Sequence, residues 1–123
     1  MTCVVIQNDV IHCSKERGIL PLLNWLEQTP CVLLDAVVAD KVVGKASALL
    51  LAYGGVRSVY ANTIGMPAIE VFQKQHIPFC FDEQTETIRN RDDTGDCLME
   101  QTVRDIDAPQ EAYATLMKLV KGK

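Results

Sequence analysis

Histidine is scarce in this chain, with 2 residues in 123, and no two of its cysteines stand in the Cys-x-x-Cys spacing. Protein-bound zinc needs convergent thiolates or imidazoles, so no structural zinc site and no other cofactor is expected. Basic residues are in the minority, 12 against 16 acidic, for a net charge of -4. That balance leaves no electrostatic footprint for a nucleic acid or an anionic membrane. Apolar runs also stay well short of the roughly 20 residues that span a bilayer. The opening Met1-Thr2-Cys3-Val4 does not begin a basic region followed by an apolar stretch and a cleavage site. A cytoplasmic protein is therefore expected, without nucleic-acid or membrane partners.

What the chain does have is 48% apolar and 23% charged residues, enough for one domain over 1–123 with a substantial core. The cysteines, Cys3, Cys13, Cys31, Cys80 and Cys97, are odd in number and scattered. They read as reduced thiols, several of them small buried hydrophobes. His12 stands in an apolar strand beside Ile11 and Cys13, and His76 closes a helix whose carbonyl end it complements. Both suit structural roles.

Hydrophobic patterning orders the elements. Cys3–Ile6 and Val10–Cys13 flank Asn8-Asp9 and predict a hairpin. Ile19, Leu22, Leu23 and Leu26 recur at helical spacing, predicting a helix from about Gly18 to Gln28 with Pro21 in its first turn. Cys31–Val38 is almost continuously apolar and predicts a central strand. Within it Asp35 is the exception, and its carboxylate would either point into a pocket or cap a neighbouring element. A helix is predicted from Val42 to Tyr53, ended by Gly54-Gly55. Next come a strand over Ser58–Thr63 and a helix from Gly65-Met66-Pro67 to His76. A short strand at Ile77–Phe81, a polar turn at Asp82-Glu83-Gln84 and a further strand at Thr87–Asn90 follow. The last helix starts at Asp107-Ala108-Pro109, with Ala112, Leu116, Leu119 and Val120 on one face.

Helices alternating with strands predict an α/β fold, a three-layer α/β/α sandwich with a mixed sheet whose antiparallel part is the hairpin. Asp40 to Ala46, the strand Val59-Tyr60-Ala61 and the late segment Asn90 to Glu100 resemble an uncharacterised prokaryotic family, domain-of-unknown-function family 1893. The resemblance spans most of the chain and implies a cytidine-deaminase-like fold with no assigned activity. Zinc deaminases carry H-x-E at one helix start and P-C-x-x-C at the next. Here Val43-Gly44-Lys45-Ala46-Ser47 has no His, Cys or Glu, and the second junction keeps Pro67 but has Ala68 and Val71 in place of cysteines. Without ligands no hydroxide is activated, so conventional deamination is not expected.

Two helix N-termini beside the carboxyl ends of adjacent strands favour an anion. They point to a small anionic or nucleotide-like ligand near Asp40, Lys41, Gly44, Lys45 and Gly65. Asn90, Asp92, Thr94 and Gly95 echo a calcium loop, but the twelfth position from Asn90 is Gln101 rather than Glu. Cys97 and Glu100 are spaced to share a helix face, which would suit a nucleophilic or redox thiol if its pKa were lowered. The favoured reading is a regulatory ligand-binding protein. The alternative is a metal-independent enzyme using Asp35, Lys45, Cys97 or Glu100. A homo-oligomer, a dimer first, is expected from the apolar hairpin and helix faces.

Overall fold

The computed structural model describes residues 3–15, 18–86, 88 and 98–122. Strands β1 (Cys3–Gln7) and β2 (Val10–Ser14) form the expected hairpin. Its turn holds Asn8 and Asp9 at φ 49 and 65. Short polar side chains tolerate this left-handed region, and two positive φ values match the twist of the paired strands. Helix α1 (Leu20–Gln28) keeps Pro21 in its first turn and buries Leu22, Leu23 and Leu26.

The predicted strand at Cys31–Val38 is a correction. Pro30–Val32 form a 3₁₀ turn, and strand β3 runs over Val37–Val43 instead. Val32 and Leu33 are apolar because they are buried in the core, and a short apolar run looks the same in a strand or a buried turn. The Gln7 amide holds this turn by donating to the carbonyls of Cys31 and Leu34. Helix α2 (Lys45–Gly54) consequently begins after Val42 and Val43, which belong to β3. Gly55, at φ 76, closes it.

Strand β4 (Ser58–Gly65) leads straight into helix α3 (Met66–Lys74), with Pro67 in the first turn. Strand β5 (Phe79–Thr85) includes Asp82, Glu83 and Gln84, the expected turn. An edge strand with exposed side chains accommodates such residues. Ile88 lies outside any strand, while Thr87, Arg89 and Asn90 fall outside the described residues. Helices α4 (Leu98–Val103) and α5 (Pro109–Lys121) follow. On α5 the buried residues are Ala112, Leu116 and Met117, whereas Leu119 and Val120, expected on that face, are exposed.

The sheet order is β2-β1-β3-β4-β5, antiparallel across the hairpin and parallel from β3 to β5. Successive parallel strands are added in one direction, so right-handed crossovers place α2 and α3 on the same face. Helix α2 touches α1, α3, α4 and α5 and is buried from Ala46 to Leu51. Its central position explains its Ala- and Leu-rich sequence. Among the described residues the opposite sheet face is open: Ile6, Ile11, Val37, Cys80 and Asp82 are exposed there. The expected three-layer sandwich is thus replaced by helices gathered on one face of a mixed five-stranded sheet. The thiols also depart from expectation, since only Cys3 is buried among the described cysteines and Cys13, Cys31 and Cys80 are exposed.

One row of side chains, Val5, Val38 and Val59, crosses the sheet in register and faces the helices. The next inward row is Cys3, Asp40 and Ala61. A carboxyl therefore occupies a core position at the edge of the functional region.

A cleft between the end of β3 and helix α4

Asp40 is 9% exposed. Its Oδ1 accepts the Lys41 backbone N–H at 2.8 Å, and the Cys3 thiol is its other partner. Burial pushes the Asp40 carboxyl up to about 7, against the pull of those two donors. The Cys3 thiol is pushed up by burial and then by the Asp40 charge, so it is not a ready thiolate nucleophile.

Four residues after Asp40, Gly44 caps α2. Helix N-termini leave backbone N–H groups unpaired, and a carboxylate from α4 takes them here. Glu100 accepts the Lys45 N–H at 2.7 Å through Oε1 and the Ala46 N–H at 2.8 Å through Oε2. A Cβ on Gly44 would lie 2.6 Å from Glu100 Cδ, so glycine is what lets the carboxylate approach. Two of the N–H groups of α2 that the sequence offers to an anionic ligand, those of Lys45 and Ala46, are therefore occupied by the chain itself. Lys45 is also engaged. Its Nζ donates to the Arg104 carbonyl at 2.8 Å and lies 3.4 Å from Asp107 Oδ1, and its side chain is 12% exposed.

Between these groups is a cavity of about 360 Å³. Its apolar walls come from Ile19, Val42, Ala46, Ile88 and Met99, and its polar members are Asp40, Lys41, Ser47 and Glu100. Asp40, Lys41, Gly44 and Glu100 are thus brought together as the sequence suggested. Lys45 instead lines a shallow hollow with Pro67 and Asp107. Gly65 meets the cavity only through Ile88, which a Cβ there would contact at 3.5 Å.

Asp35 is elsewhere, before the start of β3. It adopts φ 58, is exposed, and forms a two-pronged pair with Arg57 at 3.0 and 2.6 Å. The guanidinium hydrogen bonds hold its carboxyl below the usual carboxylate range. An exposed ion pair replaces both the pocket and the cap readings. Asn90, Asp92 and Cys97 lie outside the described residues, so the calcium-like loop and the thiol reading lie there too. Among the described residues, no group of three or more His, Cys, Asp or Glu side chains is placed to hold a metal ion.

Ile19, Ser47, Ile88 and Met99 carry no sequence signal for a site role. They share no motif, and only folding brings these separate segments to one place. Glu100 was singled out for its spacing from Cys97, whereas its role here is to cap a helix that begins 55 residues earlier.

Residues 1–120 match the family described as a domain of unknown function, DUF1893. The fold is similar to the crystal structure of a DUF1893 family protein from Thermotoga maritima, with a TM-score of 0.88 at 24% identity. That match covers 96% of this chain and 80% of the other. No curated protein matches the sequence.

Proposed function

This chain belongs to the DUF1893 family, and we propose that its cleft beside Asp40 binds a small nucleotide-like molecule in a regulatory rather than catalytic role. The scaffold reading that goes with this is a cytidine-deaminase-like one in which Ala68 and Val71 stand where zinc ligands would be needed. One observation carries the binding reading: a cavity of about 360 Å³ with largely apolar walls that includes a nine-tenths buried carboxyl. Ligand sites commonly combine an apolar lining with a few placed polar groups, one of them with a perturbed pKa.

The anionic part of the expected ligand finds few partners in the cleft. Glu100 fills the N-terminus of α2 and Lys45 is tied to Arg104 and Asp107. Exposed Lys41 is the remaining described cation of the lining. The enzyme alternative is weakened in the same way, because the Asp35 carboxylate and the Lys45 ammonium are both engaged elsewhere than at Glu100.

Native mass spectrometry of freshly purified protein, alongside Ala46→Leu to fill the cavity, tests the reading. Wild type should carry a retained small molecule that the variant loses. Conversion of that molecule on incubation would favour the enzyme alternative. A bare wild type that also gives no saturation-transfer signal with nucleotides, nucleosides or nucleobases would remove the binding reading.

A further inference from the structure

The polar groups of the cleft are unequal in what they still need. Glu100 is satisfied by two backbone N–H groups and by the positive end of α2. Asp40 is not. A carboxylate has about four acceptor sites, and its partners are the Lys41 N–H and the thiol of Cys3, a weak donor. Around it the sheet supplies Cys3 and Ala61, and α2 supplies Ala46 and Ser47. Titratable or charged groups facing this region among the described residues are Cys3 on β1, Lys41 on β3 and Glu100 on α4.

We infer that the cleft takes a small organic cation with an apolar body, such as an amidine, whose N–H groups pair with the Asp40 carboxylate while its carbon skeleton lies against Ile19, Val42 and Met99. This rests on the reading of the cleft as a binding site and departs from the nucleotide-like ligand in the sign of its charge. Planar N–H pairs match the two oxygens of a carboxylate and give short charge-assisted bonds. The apolar walls reward the rest of the molecule and exclude water, which strengthens the pairing. An anion would instead face Asp40 and Glu100 together, and a neutral isostere would forgo the ionic part.

The same geometry gives a proton signature. In the empty cleft burial holds the Asp40 carboxyl up at about 7. A cation beside it favours the ionised form, so binding below that pH releases a proton.

Calorimetry of the whole chain with benzamidine, benzamide and benzoate, at pH 6 and 8 in buffers of different ionisation enthalpy, tests the inference. Benzamidine should bind best, with affinity rising about tenfold from pH 6 to pH 8 as Asp40 ionises. Proton release should accompany binding at pH 6, and Asp40→Asn should remove the preference over benzamide. Benzamide or benzoate binding as tightly as benzamidine, or benzamidine binding without proton release, would overturn the cationic ligand while leaving a binding cleft. Failure of all three at millimolar concentration would overturn the cationic ligand and leave the binding reading to the nucleotide test above. The wild-type pH and buffer dependence decides the matter even if Asp40→Asn does not fold.

Discussion

Asp40 occupies a position in the sheet where its neighbours are Val38 two residues before it and Ala61 across the ladder. Its carboxyl has an ordinary value of 3.8 and is raised by burial to about 7 in the folded protein. Between those values the folded state holds a proton that the unfolded chain has released. The stability linked to Asp40 is therefore complete below about pH 3.8 and is lost as pH rises through about 7. The loss is on the order of a few kcal/mol. Urea titrations at pH 5 and pH 8 should show wild type weakening toward pH 8. Asp40→Asn should flatten that decline and exceed wild type at pH 8. An equal decline in the variant would assign the effect to another group. Asp35 stands in contrast, because its exposed pair with Arg57 leaves it in water at little cost.

At the level of elements, α2 is the helix on which the others converge, and its N-terminus is completed from another element. Replacing Glu100 by Ala would leave the Lys45 and Ala46 N–H groups without their charge-assisted acceptors, costing about 1–3 kcal/mol. Gly44→Ala would push a methyl group into the same carboxylate and should also destabilise. Because both substitutions act on one contact, the double variant should lose less than the sum of the two. A double-mutant cycle by urea denaturation measures this, and strict additivity would show that the contact does not form in solution. Helices with an amphipathic stripe were legible from sequence, as α1 and α3 illustrate. The strand at Cys31–Val38 was misplaced because local apolarity does not distinguish a ladder from a buried turn. On α5, Met117 rather than Leu119 and Val120 is buried, because which side of a helix is covered depends on the elements packed against it and not on its own periodicity.

For the whole molecule, the described helices gather on one face of the sheet, and among the described residues the other face is exposed. Ile11, Ile6 and Val37 lie side by side across that face, and Ile11 is 66% exposed. An apolar row beside an edge strand invites self-association. A two-fold related copy presents the same row to it without any opposed charge. The homo-oligomer therefore remains our proposal, with this face as its contact. Light scattering at micromolar concentration should give a dimer, and Ile11→Lys should shift it to monomer. A monomeric wild type would refute the proposal. Among the described residues no helix is long and apolar enough to cross a membrane.

The amino-acid sequence by itself determined the hairpin, the alternation of helices and strands that follows it, and the family to which the chain belongs. Each is written locally, in apolar periodicity, in turn residues such as Asn8-Asp9, and in prolines such as Pro21, Pro67 and Pro109 in the first turns of helices. Only the tertiary structure decided that the helices share one side of the sheet, that Asp40 rather than Asp35 is the buried acid, and that Glu100 closes α2. Those outcomes depend on strand register, on the handedness of crossovers and on contacts between residues more than fifty positions apart. No local pattern encodes such contacts, because their energies arise only once the separate surfaces are packed together.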